Sequence, residues 1–380
     1  MTTLKAPFPY FGGKSIIADE VWARFGDVQN YVEPFAGTLA VLLARPSTHT
    51  HSKERVNDKD GYISNFWRAM AFGAWEEVAA YADWPVNEND LHARHYWLVQ
   101  QRETLRAKLE GDPGYFDAKI AGWWVWGICS WIGSGFCSGN GPWHSVEMED
   151  GTRQLVHLGN NGQGINRQRV HLGDNGQGIN RQLVHLGDSG RGIKRKRGGI
   201  IRQRPQMGNG GTGQGVISKN IDLYEYMAAL SDRLRNVDVA SGDWSRVCGP
   251  SVTYKHGMTA VFLDPPYATE ANRADDLYIE DCQQIAHDVR GWCLEDIHDR
   301  ATGYKGPRYL HPKMRIALCG YEDEHGPHMP AGWEMVSWNA GKGYAGQRTD
   351  GSNDNGKLER IWFSPHCLPV ERPAQQMELF

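Results

Sequence analysis

Residues 258–263, Met-Thr-Ala-Val-Phe-Leu, are apolar or β-branched at every position, and the run stops abruptly at Asp264-Pro265-Pro266-Tyr267. A run with no polar alternation predicts a strand buried on both faces. Similar short runs recur at 30–32, 54–57, 237–240, 315–319, 333–338 and 358–363. Between them, helix-forming stretches are predicted from Ser15 to about Arg24 (Ser15 as the cap), at 39–44, 61–70, 89–110 and 119–131, and around 221–234. Residues 296–312 are polar and irregular and predict a surface loop able to approach a substrate. Residues after Pro365 predict loose order. Strands alternating mostly with helices predict an open α/β sheet whose working residues sit at the carboxyl edge.

Composition narrows the class. The chain has 380 residues, 40% of them hydrophobic, enough for one large or two modest domains. Its seven cysteines are scattered and form no C-x-x-C pair. That fits reduced thiols in a cytosol better than a disulfide framework or a structural zinc site. Cys319, His325 and His328 lack a second cysteine at ligand spacing, so no metal site is expected. Residues 120–146 carry no Asp, Glu, Lys or Arg, but glycines and a proline, among them Gly127, Gly133, Gly135, Gly139, Gly141 and Pro142, break the stretch, so no membrane span is expected. The N-terminus has no basic segment followed by an apolar core, and a cytoplasmic location in a bacterial or phage-infected cell is the expectation.

Net charge is only −4, yet its distribution is uneven. Residues 153–166 repeat at 167–180 and 181–194 with a 14-residue period, and 202–216 resembles a decayed fourth copy. Each copy reads as a short extended piece, Arg-Gln-x-Val-His-Leu, followed by a Gly-rich turn. From 153 to 204 there are 11 Lys or Arg against Asp174 and Asp188. Arg153, Arg167, Arg169, Arg181, Arg191, Lys194, Arg195, Lys196 and Arg197 are therefore candidate contacts to nucleic-acid phosphates and base edges. The alternative is a low-complexity loop expanded by duplication.

Several turns carry candidate chemistry. Gly13-Lys14-Ser15 mimics the end of a P-loop, but Phe8 stands where the first glycine is required, so that reading fails. A Gly-rich turn with Lys14 remains, either an ordinary helix entry or a cradle for a small anion such as a carboxylate. Glu33-Pro34-Phe35-Ala36-Gly37 reads as the first strand-to-helix turn of a doubly wound sheet, where nucleotide-like cofactors bind. Asp58 lies 21 positions beyond Gly37, the spacing of a ribose-binding carboxylate. It equally suits a cap for the following helix. The tryptophans of 123–131 read as core more readily than as base-stacking groups. Asp264, followed by two prolines, presents a carboxylate and free carbonyls on a rigid strand end, a device for gripping a planar amino compound or simply a turn.

Taken in order, these segments resemble the Dam-type DNA N6-adenine methyltransferases. Tyr10-Phe11-Gly12-Gly13-Lys14 is similar to that family's N-terminal cofactor motif, and 32–37 to its Gly-turn motif. Residues 57–66 resemble the segment with the ribose-binding acid, Gly242-Asp243-Trp244 the segment holding the cofactor adenine, and Asp264-Pro265-Pro266-Tyr267 the catalytic motif. The resemblance covers residues 7–70 and 220–365 and suggests a phage-like member with a repeat-containing target-recognition region. It implies a Rossmann-like class I methyltransferase sheet over 1–72 and 218–380, with an inserted helical and repeat-containing DNA-recognition region over 73–217. It also implies S-adenosylmethionine as cofactor, double-stranded DNA as partner, and a monomer or weak dimer. Tyr10, Phe11, Gly12, Lys14, Glu33, Pro34, Phe35, Gly37, Asp58, Asp243 and Trp244 would hold the cofactor. Within that set Lys14 would meet the methionine carboxylate, Asp58 the ribose and Asp243 the adenine amino group. Asp264 and the Pro265 carbonyl would accept the hydrogens of the target amino group, with Pro266 stiffening the turn and Tyr267 stacking on a flipped base. Cytosine N4, RNA adenine and a DNA-binding protein with a decayed methyltransferase core are the rival readings.

Overall fold

The computed structural model describes residues 4–9, 14–49, 53–131, 136–137, 143–147, 153–157, 222–266, 279–338 and 359–370, with backbone alone at 143–147, 153–157 and 279–283. In chain order the elements are α1 (Ala18–Phe25), β1 (Asn30–Glu33), α2 (Ala40–Leu43), β2 (Lys53–Asp58), α3 (Gly61–Ala71), α4 (Trp75–Ala82), α5 (Glu88–Gly111) and α6 (Ala118–Ser130). Then follow β3 (Trp143–Glu147), β4 (Arg153–His157), α7 (Leu223–Leu234), β5 (Val237–Ser241), β6 (Thr259–Leu263) and α8 (Ile279–Leu294). The chain continues with β7 (Asp296–Asp299), β8 (Tyr304–Pro307), β9 (Met314–Tyr321), α9 (Glu322–His325), β10 (Glu334–Ser337) and β11 (Glu359–Phe363).

All seven strands expected from the hydrophobic pattern join one sheet, in the order β10-β11-β9-β6-β1-β2-β5. The five strands from β9 to β5 are parallel, and β11 and β10 close the edge antiparallel. This is a Rossmann-like sheet. The apolar run of β6 is continuous because the sheet is covered on both sides. Ala260 and Phe262 enter one core with Ala317 and Cys319, and Val261 and Leu263 enter the other with Ile316 and Leu318. The first core is roofed by α1 to α7, and the second by α8 and nearby 3-10 turns.

Connections from β1 lead to β2 and β5 on one side, while β6 and β9 lie on the other. The strand order therefore reverses between β1 and β6, where the loops diverge and leave a crevice at the carboxyl ends. Helices α4, α5 and α6 pack on α3 and α7 and share the first core. Trp124 and Trp126 are buried there, as a core role requires, while Trp123 is partly exposed and flanked by Arg94 and Lys119. On α1, Arg24 is buried, forks onto both oxygens of Glu334 at 2.7 and 2.6 Å and lies over Phe363, so it pins the β10–β11 edge.

Three expectations need correction. Ser15 is not the cap of α1. The helix starts at Ala18, after a turn closed by the Ile17 N–H on the Lys14 carbonyl, and no side chain caps it. The cap of α3 is Asp60, which accepts from the Tyr62 N–H at 2.8 Å, so Asp58 is released from that duty. Residues 296–312 are not an irregular loop near the substrate edge. They form the β7–β8 hairpin, turned at Gly303 (φ 76°), and a 3-10 turn that leads into the amino end of β9. Asp299 secures that turn through Ala301 N–H and the Thr302 hydroxyl and meets buried His311 at 3.3 Å. The chain beyond Pro365 remains docked as far as Leu368, whose N–H donates to the Arg24 carbonyl.

Helices α4 and α6 cross closely because Gly122 lacks a side chain. A Cβ there would lie 2.4 Å from the Tyr81 Cβ and 2.6 Å from the Val78 carbonyl oxygen. Gly122→Ala should therefore lower stability by about 1–3 kcal/mol through overpacking, although alanine favours a free helix by about 1 kcal/mol. The urea unfolding midpoint measures it, and an unchanged or raised midpoint would contradict the close crossing.

Candidate active site

The period-two geometry of strands explains which side chains meet at the crevice. On β1, Tyr31 faces the first core and Val32 the second, so Glu33 returns to the first face. On β6 the same count places Asp264 on that face, one step beyond Leu263. Leu263 pairs with Leu318, which sets Asp264 beside Cys319. Strand β11 runs the opposite way, so its first residue, Glu359, pairs with Tyr321 at the same carboxyl edge. Glu359 shares its face with Ile361 and Phe363, both buried in the first core.

Three strand ends, those of β1, β2 and β5, are tied together by backbone and amide bonds. The Asn57 side-chain N–H group donates to the Pro34 carbonyl at 3.1 Å and the Gly242 carbonyl at 3.0 Å. The Ala36 N–H donates to the Asn57 carbonyl, and the Gly242 N–H to that of Asp58. Gly37 (φ 45°) turns the chain after β1 and donates its N–H to Asp58 Oδ2 at 2.8 Å, while its carbonyl accepts from the Trp67 indole at 2.8 Å. Asp58 Oδ1 accepts from the Asp60 N–H at 2.8 Å. Asp243 is exposed, and its Oδ1 accepts from the Ser245 N–H at 3.0 Å, so it caps the 3-10 turn Trp244–Val247. Phe35 and Trp244, both half-buried, stack at 6.2 Å across the β1 and β5 ends.

The electrostatics of the crevice are dominated by acids. Glu33 is buried and accepts from the Tyr31 hydroxyl at 2.8 Å. Burial, helped by neighbouring Asp264 and Asp58, raises its carboxyl to about 8 against the opposing pull of the Tyr31 hydroxyl and the Leu42 N–H. Burial likewise raises Asp58 to about 7, with Asp60 adding to the rise. Lys14 is buried beside them, 3.0 Å from Asp264 Oδ2 and 3.6 Å from Glu359 Oε2, with its ammonium 5.6 Å from the Trp338 ring. Burial alone would lower its pKa, but Asp264 and Glu359 hold it above the ordinary lysine range. The Cys319 thiol is pushed well up by burial and by Asp264, so it stays protonated.

Of the expected site residues, Lys14, Glu33, Pro34, Phe35, Gly37, Asp58, Asp243, Trp244, Asp264, Pro265 and Pro266 all lie along this edge. Lys14 is engaged with two carboxylates. Tyr10, Phe11, Gly12 and Tyr267 lie outside the described residues, as do Arg167, Arg169, Arg181, Arg191, Lys194, Arg195, Lys196 and Arg197. Arg153 begins β4, which pairs antiparallel with β3, so the first Arg-Gln-x-Val-His piece is a strand. Sequence reasoning missed Glu359, Cys319, Trp338 and the bridging amide of Asn57. The Glu359 signal was present, since an acid in step with Ile361 and Phe363 falls on their buried face.

Fold and site together give a Rossmann-like sheet with an acidic cluster at its carboxyl edge, beside the switch point. Residues 10–108 match the family model of the D12 class N6 adenine-specific DNA methyltransferases, and the match indicates an adenine-specific DNA methyltransferase. It spans Lys14, Glu33 to Gly37 and Asp58, while Asp243 and Asp264 lie beyond it. No curated protein matches the chain. A methyltransferase of this kind implies S-adenosylmethionine as donor. The edge fits that molecule: Asn57 Oδ1 is buried with no hydrogen-bond partner among the described residues, and the carboxyls of Glu33, Asp58 and Asp264 stand close enough to act on one another, an environment that favours a cation. Among the described residues no group of three or more His, Cys, Asp and Glu is placed to hold a metal, and no helix is long and apolar enough to cross a membrane.

Carboxyls raised to about 8 at Glu33 and about 7 at Asp58 are partly protonated at neutral pH. A bound sulfonium favours their ionised forms, so S-adenosylmethionine affinity should rise from about pH 6 to about pH 9 as these protons leave. S-adenosylhomocysteine lacks the sulfonium charge and should gain less. Calorimetric titration of both ligands checks this, and parallel pH curves would contradict it.

Proposed function

We propose that the chain methylates the N6 amino group of adenine in double-stranded DNA after drawing the base out of the helix, with short or relaxed sequence specificity. The observation that supports this reading most is the placement of Asp264. It stands at the end of the central strand β6, on the face that also carries Glu33, one strand from the Gly37 turn.

S-adenosylmethionine supplies a methyl group made electrophilic by its sulfonium. Asp58, with the Gly37 turn, is suited to the ribose end of the donor, and Phe35 and Trp244 to its adenine. The exposed Asp243 takes the adenine amino group in this reading. Lys14 is shared by Asp264 and Glu359, so serving the methionine carboxylate would require it to change partner. The adenine N6 lone pair is delocalised into the ring and is a weak nucleophile. Asp264 and the Pro265 carbonyl accept its two hydrogens, which localises the lone pair and aims it at the methyl. The N6–C bond forms as the S–C bond breaks, and the surplus N6 proton leaves toward the Asp264 carboxylate. Tyr267 would stack on the extruded base.

The basic repeats are proposed to bind DNA mainly through phosphates, with the β3–β4 hairpin presenting the first copy. The chain is read as a monomer or weak dimer working in the cytoplasm.

Asp264→Ala should lower single-turnover methyl transfer to DNA by about a thousandfold or more, because it removes an acceptor placed for the transition state. S-adenosylmethionine affinity should change far less. Full transfer by this variant would remove Asp264 from the chemistry. Deleting residues 153–204 should weaken DNA binding, measured by fluorescence anisotropy, much more than cofactor binding. Equal loss of both would make the repeats structural.

A further inference from the structure

Lys14 faces two carboxylates, the partly exposed Asp264 and the buried Glu359, and only Asp264 has been given a chemical task. The other, Glu359, comes from the antiparallel edge strand β11, about as far from Lys14 as an ion pair allows. Its side chain is 8% exposed and that of Lys14 is 5%. A further buried charge is an expensive way to stabilise a fold, since an apolar side chain at such a position commonly does as well or better. The neighbours of Glu359 on its own face, Ile361 and Phe363, are apolar.

The charge arithmetic of the cluster suggests what it does. Lys14 and Asp264 alone form a neutral pair. Neutrality suits neither the donor, which is a cation, nor the adenine N6, which becomes positive as it is methylated. A carboxylate fully matched to its own ammonium is also a weak acceptor for N6–H. With Glu359 present the three groups sum to one negative charge. Lys14 is divided between two acids, and Asp264 keeps acceptor strength while its position stays fixed.

We propose that Glu359 is a positioning residue for methyl transfer, acting through Lys14 to keep the Asp264 edge of the site net negative. The proposal rests on the reading of Asp264 as the group that accepts the amino hydrogens. Glu359 itself touches neither adenine nor cofactor in this account. The raised pKa of Lys14 agrees with it, because two acids outweigh the burial of the ammonium.

Single-turnover methyl transfer at saturating S-adenosylmethionine and DNA tests this. Glu359→Gln keeps the shape and removes the charge, so the chemical step should slow about tenfold or more while both dissociation constants change less than about threefold. Lys14→Met/Glu359→Gln removes one charge of each sign and leaves Asp264 as the sole net charge. The double variant should be at least about threefold faster than Glu359→Gln. A purely structural role predicts a double variant no faster than the single one. If Glu359→Gln does not fold, Glu359→Leu, which matches the apolar neighbours on its face, takes its place in both the single and the double variant. A single-variant rate within twofold of the native protein, or a double variant no faster than the single one, would each overturn the proposal. Asp264→Ala in the same assay separates the two ideas: full activity there removes the reading beneath this proposal, whereas its loss alongside an unaffected Glu359→Gln removes only the role of Glu359.

Discussion

One buried lysine among acids is the constraint around which the carboxyl edge is organised. Glu33, Asp264 and Glu359 reach the same face of the sheet because each stands two residues from a first-core residue on its own strand, Tyr31, Phe262 and Ile361. Without Lys14 their mutual repulsion would leave at least one protonated. With it, Asp264 and Glu359 share an ammonium, while Glu33 retains a carboxyl raised to about 8. A surrounding frame holds that arrangement. The Asn57 amide and the Gly37, Ala36 and Gly242 N–H groups fix the ends of β1, β2 and β5, and the Arg24–Glu334 fork holds the antiparallel edge from which Glu359 comes.

Electrostatics and topology thus point to the same function. A parallel sheet that reverses direction leaves a crevice between β1 and β6, and acids lining it favour a positively charged donor. The strand end at Asp264 adds a rigid acceptor. The chemistry asked of these groups is modest, because the donor carries its own reactivity. Orientation and a negative field are the contributions left to the protein, and both follow from where strands end.

Much of this was legible in the sequence, for identifiable reasons. The seven strands were readable because each is a short run set by burial on one or both faces, and β6 announced itself by having no polar position at all. The placement of Glu33, Gly37, Asp58, Asp243 and Asp264 at one sheet edge was readable because each ends or closely follows a predicted strand. Other features required the fold. Glu359 belongs with Lys14 only once β11 is known to run antiparallel beside β9. The hairpin β7–β8 was hidden because its side chains are polar, its stability coming from the Asp299 turn and the packing of His311 rather than from an apolar pattern. The true cap of α3 is Asp60, two residues after Asp58, and local sequence alone did not distinguish two acids so close together.

The central claim is that this acidic edge delivers a methyl group to the adenine N6 in DNA. Incubating the protein with labelled S-adenosylmethionine and duplex DNA, then digesting the DNA to nucleosides and separating them, measures it most directly. The account predicts label in N6-methyldeoxyadenosine. Label found solely in N4-methyldeoxycytidine, or no transfer to DNA from a protein that binds both ligands, would contradict it.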